Sequence, residues 1–485
     1  MLMLDRRSAV PLAEQIEAGL RALIEAGRLA PGVRLTSIRQ LAAQLAVSPN
    51  TVVSAYDRLM ADGVIESRGT AGYFVCETGP AWVHDGLLEA GEEQDAVWLA
   101  QQSHDQPAGV LLASSGALPP AWLEDAVPAS LVHRALAQCV GGMAARCPPQ
   151  GLPALRERLA MLMRSNGVAV DASRVLTTQG GTQAIDLICR ALLQPGDAVV
   201  VEDPGYHLLF GRLRQARVRI VPVARGPEGL DLQQLEAACI EHRPRLMFVQ
   251  SVLHNPTGWS CSAANLHRVL MLAERHDVLI AEDDAHGQLH PGQPTRLAQL
   301  SGLARVVYYS SFCKVLSPAL RMGWLAAEPE LLKPLLREKM YSILTTPALN
   351  EQVLLQVLST GRLRKHIERL QQKLGLARVV AARQLRQAGI VLDHPAEGGL
   401  WLWGRVPDGV DLGLLTRDAY RNGILLAGGT TFRAEPAPAD GHLRFNVVYS
   451  QHVRLAEYLS QRLQAVQAAS AALGRLAAAG SASSS

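Results

Sequence analysis

Lysine is scarce in this chain: of 47 basic side chains only five are lysines, and all five lie after position 310. Arginine carries nearly all the positive charge, and with 44 acids against it the formal net charge is only +3. That balance excludes a surface that is basic throughout, so any nucleic-acid contact has to come from a local patch. Cysteine is thinly spread. The seven thiols (Cys76, Cys139, Cys147, Cys189, Cys239, Cys261 and Cys313) include no Cys-x-x-Cys pair and no metal-ligand spacing. No zinc site or disulfide framework is expected, and a reducing compartment suits them. No apolar run approaches the ~18 residues of a membrane-spanning helix, and no signal-like core follows Asp5-Arg6-Arg7, so a cytoplasmic location is expected. What remains is 485 residues, 48% of them apolar, enough for two or more domains.

The shortage of lysine makes one of them conspicuous. Lys333, Lys339, Lys365 and Lys373 lie in charged segments with helical spacing and are expected on the surface. Lys314 instead follows a β-type run, Arg305-Val306-Val307-Tyr308-Tyr309, and ends the small and apolar stretch Ser310-Ser311-Phe312-Cys313. Burial there would lower its pKa from about 10.4 and free the amine to attack a carbonyl. Ser311 three residues before it and Arg321 seven after it suit a phosphate. A carbonyl compound that carries a phosphate is pyridoxal 5′-phosphate (PLP). A structural lysine at a strand end is the plainer alternative.

The first 76 residues have their own pattern. Leu12, Ile16, Leu20, Leu23 and Ile24 recur at helical spacing between Pro11 and Gly27, and Pro31-Gly32 ends that run. A second helix follows the Thr36-Ser37 cap through Ile38, Leu41, Ala42 and Leu45. The third has Ser48 as N-cap and Pro49 at its first position, and continues through Val52, Val53, Tyr56 and Leu59 to Asp62-Gly63. Val64-Ile65-Glu66-Ser67 and Gly72-Tyr73-Phe74-Val75 then form a short hairpin across residues 68–71. This is an all-α domain with a small β-wing, a winged helix-turn-helix. Ser48, Asn50 and Thr51 stand where such a fold meets a major groove, Arg34 and Arg39 can grip phosphates, and Arg68 reaches out from the wing.

Arg34-Leu35-Thr36-Ser37-Ile38-Arg39-Gln40-Leu41-Ala42, followed by Val47-Ser48-Pro49-Asn50-Thr51-Val52-Val53, closely resembles the DNA-binding domain of GntR-type bacterial regulators. The resemblance implies that the partner is double-stranded DNA. Such proteins often carry arginine where this chain has Pro49, which implies a changed operator. Residues 77–109, rich in Gly, Pro, Glu and Asp, are expected to be a linker with short helical pieces near Trp82 and Trp98. Residues 468–485, rich in Ala, Gly and Ser, are expected to be a disordered tail.

Between these, residues 110–467 alternate helix and strand. Strands are expected over Arg174–Thr178, Ala198–Val201, Arg217–Val223, Leu246–Val249, Val278–Ala281 and Val306–Tyr309, giving a doubly wound α/β sheet with ligand sites at its strand ends. Gly180-Gly181-Thr182 opens a helix, where free N–H groups favour a phosphate. Tyr206 in Asp203-Pro204-Gly205-Tyr206 offers a ring to stack on a flat cofactor. Asn255 in His254-Asn255-Pro256-Thr257-Gly258 can donate to a phenolic oxygen, and Asp283 in Glu282-Asp283-Asp284-Ala285-His286 can pair with a protonated pyridine nitrogen.

In this order the motifs resemble fold-type I PLP-dependent aminotransferases of the aspartate aminotransferase superfamily, from about Gly109 onward. The resemblance implies a large domain and a small C-terminal α+β domain. It implies Lys314 as the Schiff-base lysine, Asp283 at the pyridine nitrogen, Asn255 near the phenolic oxygen and Tyr206 on the ring. Gly181, Thr182, Ser311 and Arg321 would hold the phosphate. Arg444, in His442-Leu443-Arg444-Phe445-Asn446, would take an α-carboxylate, as a guanidinium can in bidentate fashion. Two positions depart from the pattern. His286 replaces a tyrosine that usually touches the phenolic oxygen, and Arg146 replaces one that commonly reaches the neighbouring subunit's phosphate.

A winged helix fused to such a domain is the layout of the MocR subfamily of GntR regulators, including the GabR-like and PdxR-like proteins. The resemblance implies a homodimeric, head-to-tail transcription regulator that senses PLP or its adduct with an amino compound, rather than an enzyme. A working aminotransferase with an accessory DNA-binding half, and a cofactor-free dimerisation platform, are the alternatives.

Overall fold

The computed structural model describes residues 4–6, 10–25, 29, 32–61, 64–68, 72–75, 95–105, 109–139, 141–144, 146–392, 394, 396–435 and 440–465. The expected tail, most of the expected linker and the tip of the wing lie outside the described residues. The chain divides into two compact units.

In the first unit, α1 (Leu12–Glu25), α2 (Ile38–Leu45) and α3 (Pro49–Ala61) precede a two-stranded antiparallel sheet, β1 (Ile65–Ser67) and β2 (Tyr73–Val75). The Ser37 side chain caps α2 by accepting from the Gln40 N–H, and the Ser48 hydroxyl accepts from the Thr51 N–H at 3.1 Å. Ala46, in the left-handed region (φ 51°), ends α2 just before Ser48 starts α3, and Ile16, Leu41, Val52, Tyr56 and Leu59 close into one core. The Tyr56 hydroxyl, inside that core, donates to the Thr36 carbonyl at 2.6 Å.

The second unit opens with α4 (Ala96–Asp105), in the segment expected as linker. Trp98 and Leu99 pack with Leu112, Trp403, Leu425 and Phe432, and the Tyr420 hydroxyl donates to Gln102 at 2.5 Å. The polar residues that gave this stretch a linker's composition lie outside α4, and its two apolar anchors decide its place. There follow α5 (Pro120–Leu123), α6 (Ala129–Gln138), α7 (Pro153–Ser165), β3 (Val175–Thr178), α8 (Gly180–Leu192), β4 (Ala198–Asp203), α9 (His207–Gln215), β5 (Arg219–Gly226), β6 (Gly229–Leu230) and α10 (Leu232–His242). Then come β7 (Leu246–Val249), α11 (Ala263–Arg275), β8 (Leu279–Asp283), α12 (Leu297–Ser301), β9 (Val306–Ser311) and β10 (Gly323–Ala326). The chain continues through α13 (Pro329–Ser342), α14 (Ala348–Ser359), α15 (Arg362–Gln387), β11 (Trp401–Arg405), α16 (Leu412–Arg421), β12 (Ala427–Gly428) and β13 (His442–Asn446).

Among the described residues, eight strands form one sheet in the order β3-β10-β9-β8-β7-β4-β5-β6, and β11-β13-β12 form a small antiparallel sheet. Strands β4, β5, β7, β8 and β9 are parallel, and in β4, β7, β8 and β9 the side chains alternate between two buried faces. Val200, Met247, Ile280 and Val306 enter one core, while Val199, Leu246, Ala281 and Val307 enter the other. The sequence reading missed β10, a four-residue antiparallel insertion between β3 and β9. Arg321 in the left-handed region (φ 47°) turns the chain back, and Phe312 N–H donates to the Met322 carbonyl at 2.9 Å to start the pairing.

One lysine is a correction. Lys339, expected on the surface, is fully buried, because α13 turns Leu332, Leu335 and Lys339 inward on one face. Its ammonium donates to the Thr177 and Thr346 hydroxyls at 3.1 and 3.3 Å. The exposed Arg337 in the same turn made the segment read as solvated.

Candidate functional site

In the first unit Arg34, Arg39, Ser48 and Asn50 are exposed, and Thr51 is half-buried with its hydroxyl 2.8 Å from that of Ser48. Ser48, Asn50 and Thr51 all stand at the N-terminal end of α3, the end such folds present to a groove. Arg68 is exposed as well, but its guanidinium is engaged with Glu66 at 2.6 Å and lies over the Phe74 ring, 4.8 Å from the centroid.

In the second unit, the parallel strands deliver side chains to one end of the sheet, where a cavity of about 160 Å³ opens. Lys314, Asp283, Asn255, Tyr206, Gly181, Thr182, Ser311, Arg321, His286 and Arg444 all line it. Every cofactor and effector residue expected from the sequence is thus at one place.

The Lys314 ammonium donates to the Gly116 carbonyl at 2.7 Å, and burial pushes its pKa down to about 8. A Cβ on Gly116 would stand 3.2 Å from Nζ, so a side chain there would crowd the amine. Asp283, the last residue of β8, is buried and pushed up to about 6 by desolvation. It accepts from the Ala285 N–H at 2.8 Å and from Gln250 Nε2 at 3.0 Å, both of which favour its charged form. Gln250 also accepts from the Asn255 N–H at 2.8 Å, so one amide ties together the acid and the asparagine. The neighbouring acids are spent on structure. Glu282 accepts from the Leu297 and Ala298 N–H groups at 2.8 and 2.7 Å, and Asp284 pairs with Arg296 at 2.9 Å and with the Tyr308 hydroxyl at 2.5 Å.

At the start of α8, Gly180 has φ +76°, and a Cβ there would meet the Arg321 guanidinium at 3.2 Å and the Cys313 sulfur at 3.3 Å. The backbone therefore approaches the arginine over a cradle that only glycine leaves open. Arg444 is buried on the small sheet. Its guanidinium lies between the Trp401 and Phe432 rings, 4.1 and 4.5 Å from their centroids. It donates to Asn255 Oδ1 at 2.8 Å and to the Ser114 carbonyl at 2.6 Å, while Nε is buried without a partner. Desolvation pushes its pKa down to about 9. His286 is pushed down to about 3 by burial and then by the nearby charges of Lys314 and Arg444, so it stands neutral, with Nε2 unpartnered.

The sequence reading missed Gly116, Gln250, His207 and the α4 residues Leu99, Ala100, Ser103 and His104, which complete the wall. Gln250 directly follows β7, and a strand's C-terminal end was signal enough to single it out. The helical piece expected near Trp98 is α4, but nothing in its sequence marked it as part of the cavity wall.

The arrangement fits PLP: a desolvated amine, an acid held charged by hydrogen bonds, a ring to stack, and a glycine-floored cradle beside an arginine. These features define a pyridoxal-phosphate-type fold carrying a DNA-reading head. The family model described as bacterial regulatory proteins, gntR family, matches residues 12–75, and that for aminotransferase class I and II matches residues 112–458. The chain belongs to the class I and II aminotransferase family and, with its GntR head, to the MocR-like GntR-type regulators. The HTH-type transcriptional regulator YjiR of Escherichia coli, itself described as uncharacterized, is 30% identical over 88% of this chain and 91% of its own length. The probable rhizopine catabolism regulatory protein MocR of Rhizobium meliloti is 32% identical over 68% of each chain. Among solved structures, the alpha-aminoadipate aminotransferase LysN of Thermus thermophilus, complexed with N-(5′-phosphopyridoxyl)-L-leucine, superposes with a TM-score of 0.69 at 26% identity, over 75% of this chain and 95% of its own. Among the described residues no helix is long and apolar enough to cross a membrane.

Proposed function

We propose that this chain is a homodimeric transcription regulator that senses PLP, or its adduct with an amino compound, through its aminotransferase-like unit. One observation carries the reading: a complete cofactor-type cavity belongs to the same chain as a winged helix whose groove-facing residues are exposed. PLP, when bound, supplies an aldehyde and an electron-withdrawing ring. Lys314 offers the amine, which sheds its proton near pH 8 rather than above 10. Asp283 would hold a proton on the ring nitrogen, Tyr206 would stack on the ring, and Asn255 and the neutral His286 would serve the phenolic oxygen. Gly181, Thr182, Ser311 and Arg321 would hold the phosphate, and Arg444, whose Nε has no partner, would take an effector carboxylate. Arg146, exposed in the single chain, is assigned to the partner subunit's phosphate. The effector shifts DNA binding by its differential affinity for two dimer states.

The test uses the full-length protein. It is expected to take up PLP with a visible absorbance band, to be fixed at Lys314 by borohydride, and to change its operator affinity when an amino compound is added. DNA affinity that ignores both PLP and amines would sink the reading. A second reading, a working aminotransferase, is favoured by the intact Lys314–Asp283–Arg444 set and by the likeness to LysN. Sustained turnover of an amino donor with a keto acid at roughly 1 s⁻¹ or more would establish it.

A further inference from the structure

The sensor reading leaves the effector's chemical class open, and the wall of the same cavity narrows it. With the cofactor residues set aside, the space beside Lys314 is bounded by Leu99 and Ala100 of α4, Ile185 of α8, Leu208 of α9 and the Trp401 ring. Two of the polar atoms that α4 brings here are engaged within their own helix. The Ser103 hydroxyl donates to the Leu99 carbonyl at 2.8 Å, and His104 Nδ1 lies 2.8 Å from the Ala100 carbonyl.

The fixed charges lining the cavity among the described residues are Lys314, Asp283, Arg321 and Arg444, and each has a place in the sensor reading. Among the described residues of this chain, no further arginine or lysine lines this cavity to meet a side-chain carboxylate, and no further acid lines it to meet a side-chain ammonium. His207 is buried with Nδ1 unpartnered, and both desolvation and the positive Arg444 and Lys314 keep it neutral. A second charge on the effector would be stripped of water here without a partner, which is costly. An uncharged side chain would instead remove the apolar wall from water and gain by it.

We infer that the effector is an α-amino monocarboxylate with an uncharged, largely apolar side chain, which rests against α4. The inference deepens the sensor reading of this site and rests on it. α4 precedes every other described element of the second unit.

The experiment titrates full-length, PLP-loaded protein with L-leucine, L-phenylalanine, L-glutamate and L-lysine, reading dissociation constants from the cofactor's visible absorbance. Leucine or phenylalanine is expected to bind at least about tenfold tighter than glutamate or lysine. The variant Ala100→Arg places a cation in the wall and is expected to move the leucine-to-glutamate ratio at least about tenfold toward glutamate. The absorbance before titration reports whether that variant's site is still loaded, and Ala100→Lys serves if it is not. Glutamate or lysine binding as tightly as leucine to the loaded protein overturns the inference, as does a ratio that the added cation leaves unmoved. A protein that takes up no PLP overturns the sensor reading and the inference with it, whereas a loaded spectrum that responds to none of the four amino acids overturns the inference alone and leaves PLP itself as the sensed ligand.

Discussion

Two lysines sit in desolvated corners of the second unit, and burial pushes both down to about 8, yet only one stands in a cavity. Lys339 is enclosed by α13, β3 and α14, and its ammonium donates to two threonine hydroxyls. Both hydroxyls donate onward to Glu351, which also accepts from the Leu152 N–H at 2.6 Å, so the charge is neutralised through a closed network. Lys314 makes one hydrogen bond, to a carbonyl, and otherwise faces Asp283, Arg321 and Arg444 across open space. A lowered pKa alone therefore reports burial. A lowered pKa beside a glycine-floored cradle and an unpartnered guanidinium nitrogen reports a site.

The contrast breaks most readily at the amine. Lys314→Ala is expected to abolish borohydride-fixed PLP completely, while Lys339→Met keeps it, with peptide mass spectrometry as the readout. Fixation at any residue other than Lys314 would remove the distinction. In the wild type, covalent capture should quicken as pH rises through about 8, where the Lys314 amine becomes unprotonated, and then level off.

The second lysine gives the next effect, in stability. Unfolded, Lys339 keeps its proton to about 10.5; folded, it releases it near 8. Between those values the unfolded state binds more protons, so raising the pH favours the folded state, and the penalty is fully present below the folded value. Relative to Lys339→Met, the wild type should thus gain stability from pH 8 to pH 10, by at most about 3 kcal/mol. Urea unfolding in a Lys314→Ala background isolates the effect, and a difference that stays flat with pH would show that Lys339 is solvated.

What the sequence made legible follows from how each feature is encoded. The strand ends carry chemistry in short local motifs, so Lys314, Asp283, Asn255 and Arg321 could be named before any geometry was known. The caps Ser37 and Ser48 announced the winged helix in the same way, because a cap is a local contract between a side chain and its own backbone. The burial of Lys339 and the docking of α4 were not legible, because both depend on partners far along the chain: Thr177 and Thr346 for the lysine, Trp403 and Tyr420 for the helix. Strand β10, Gly323–Ala326, was missed because it holds no β-branched residue, unlike the equally short strands that were named.

The smallest effect sharpens the same contrast from the other unit. There the charges are exposed, Arg39 among them, and an exposed guanidinium keeps its water until a phosphate replaces it. Its contribution is therefore electrostatic and screened by salt, unlike the desolvated charges of the cavity. Arg39→Ala is expected to weaken binding to operator and non-operator duplexes alike and to reduce the slope of log affinity against log salt by about 1. Fluorescence anisotropy across a salt series measures both. PLP uptake should be untouched, since Arg39 lies in the unit that does not hold the cavity. If Arg39→Ala instead weakened one sequence and spared the rest, Arg39 would be reading a base edge rather than a phosphate.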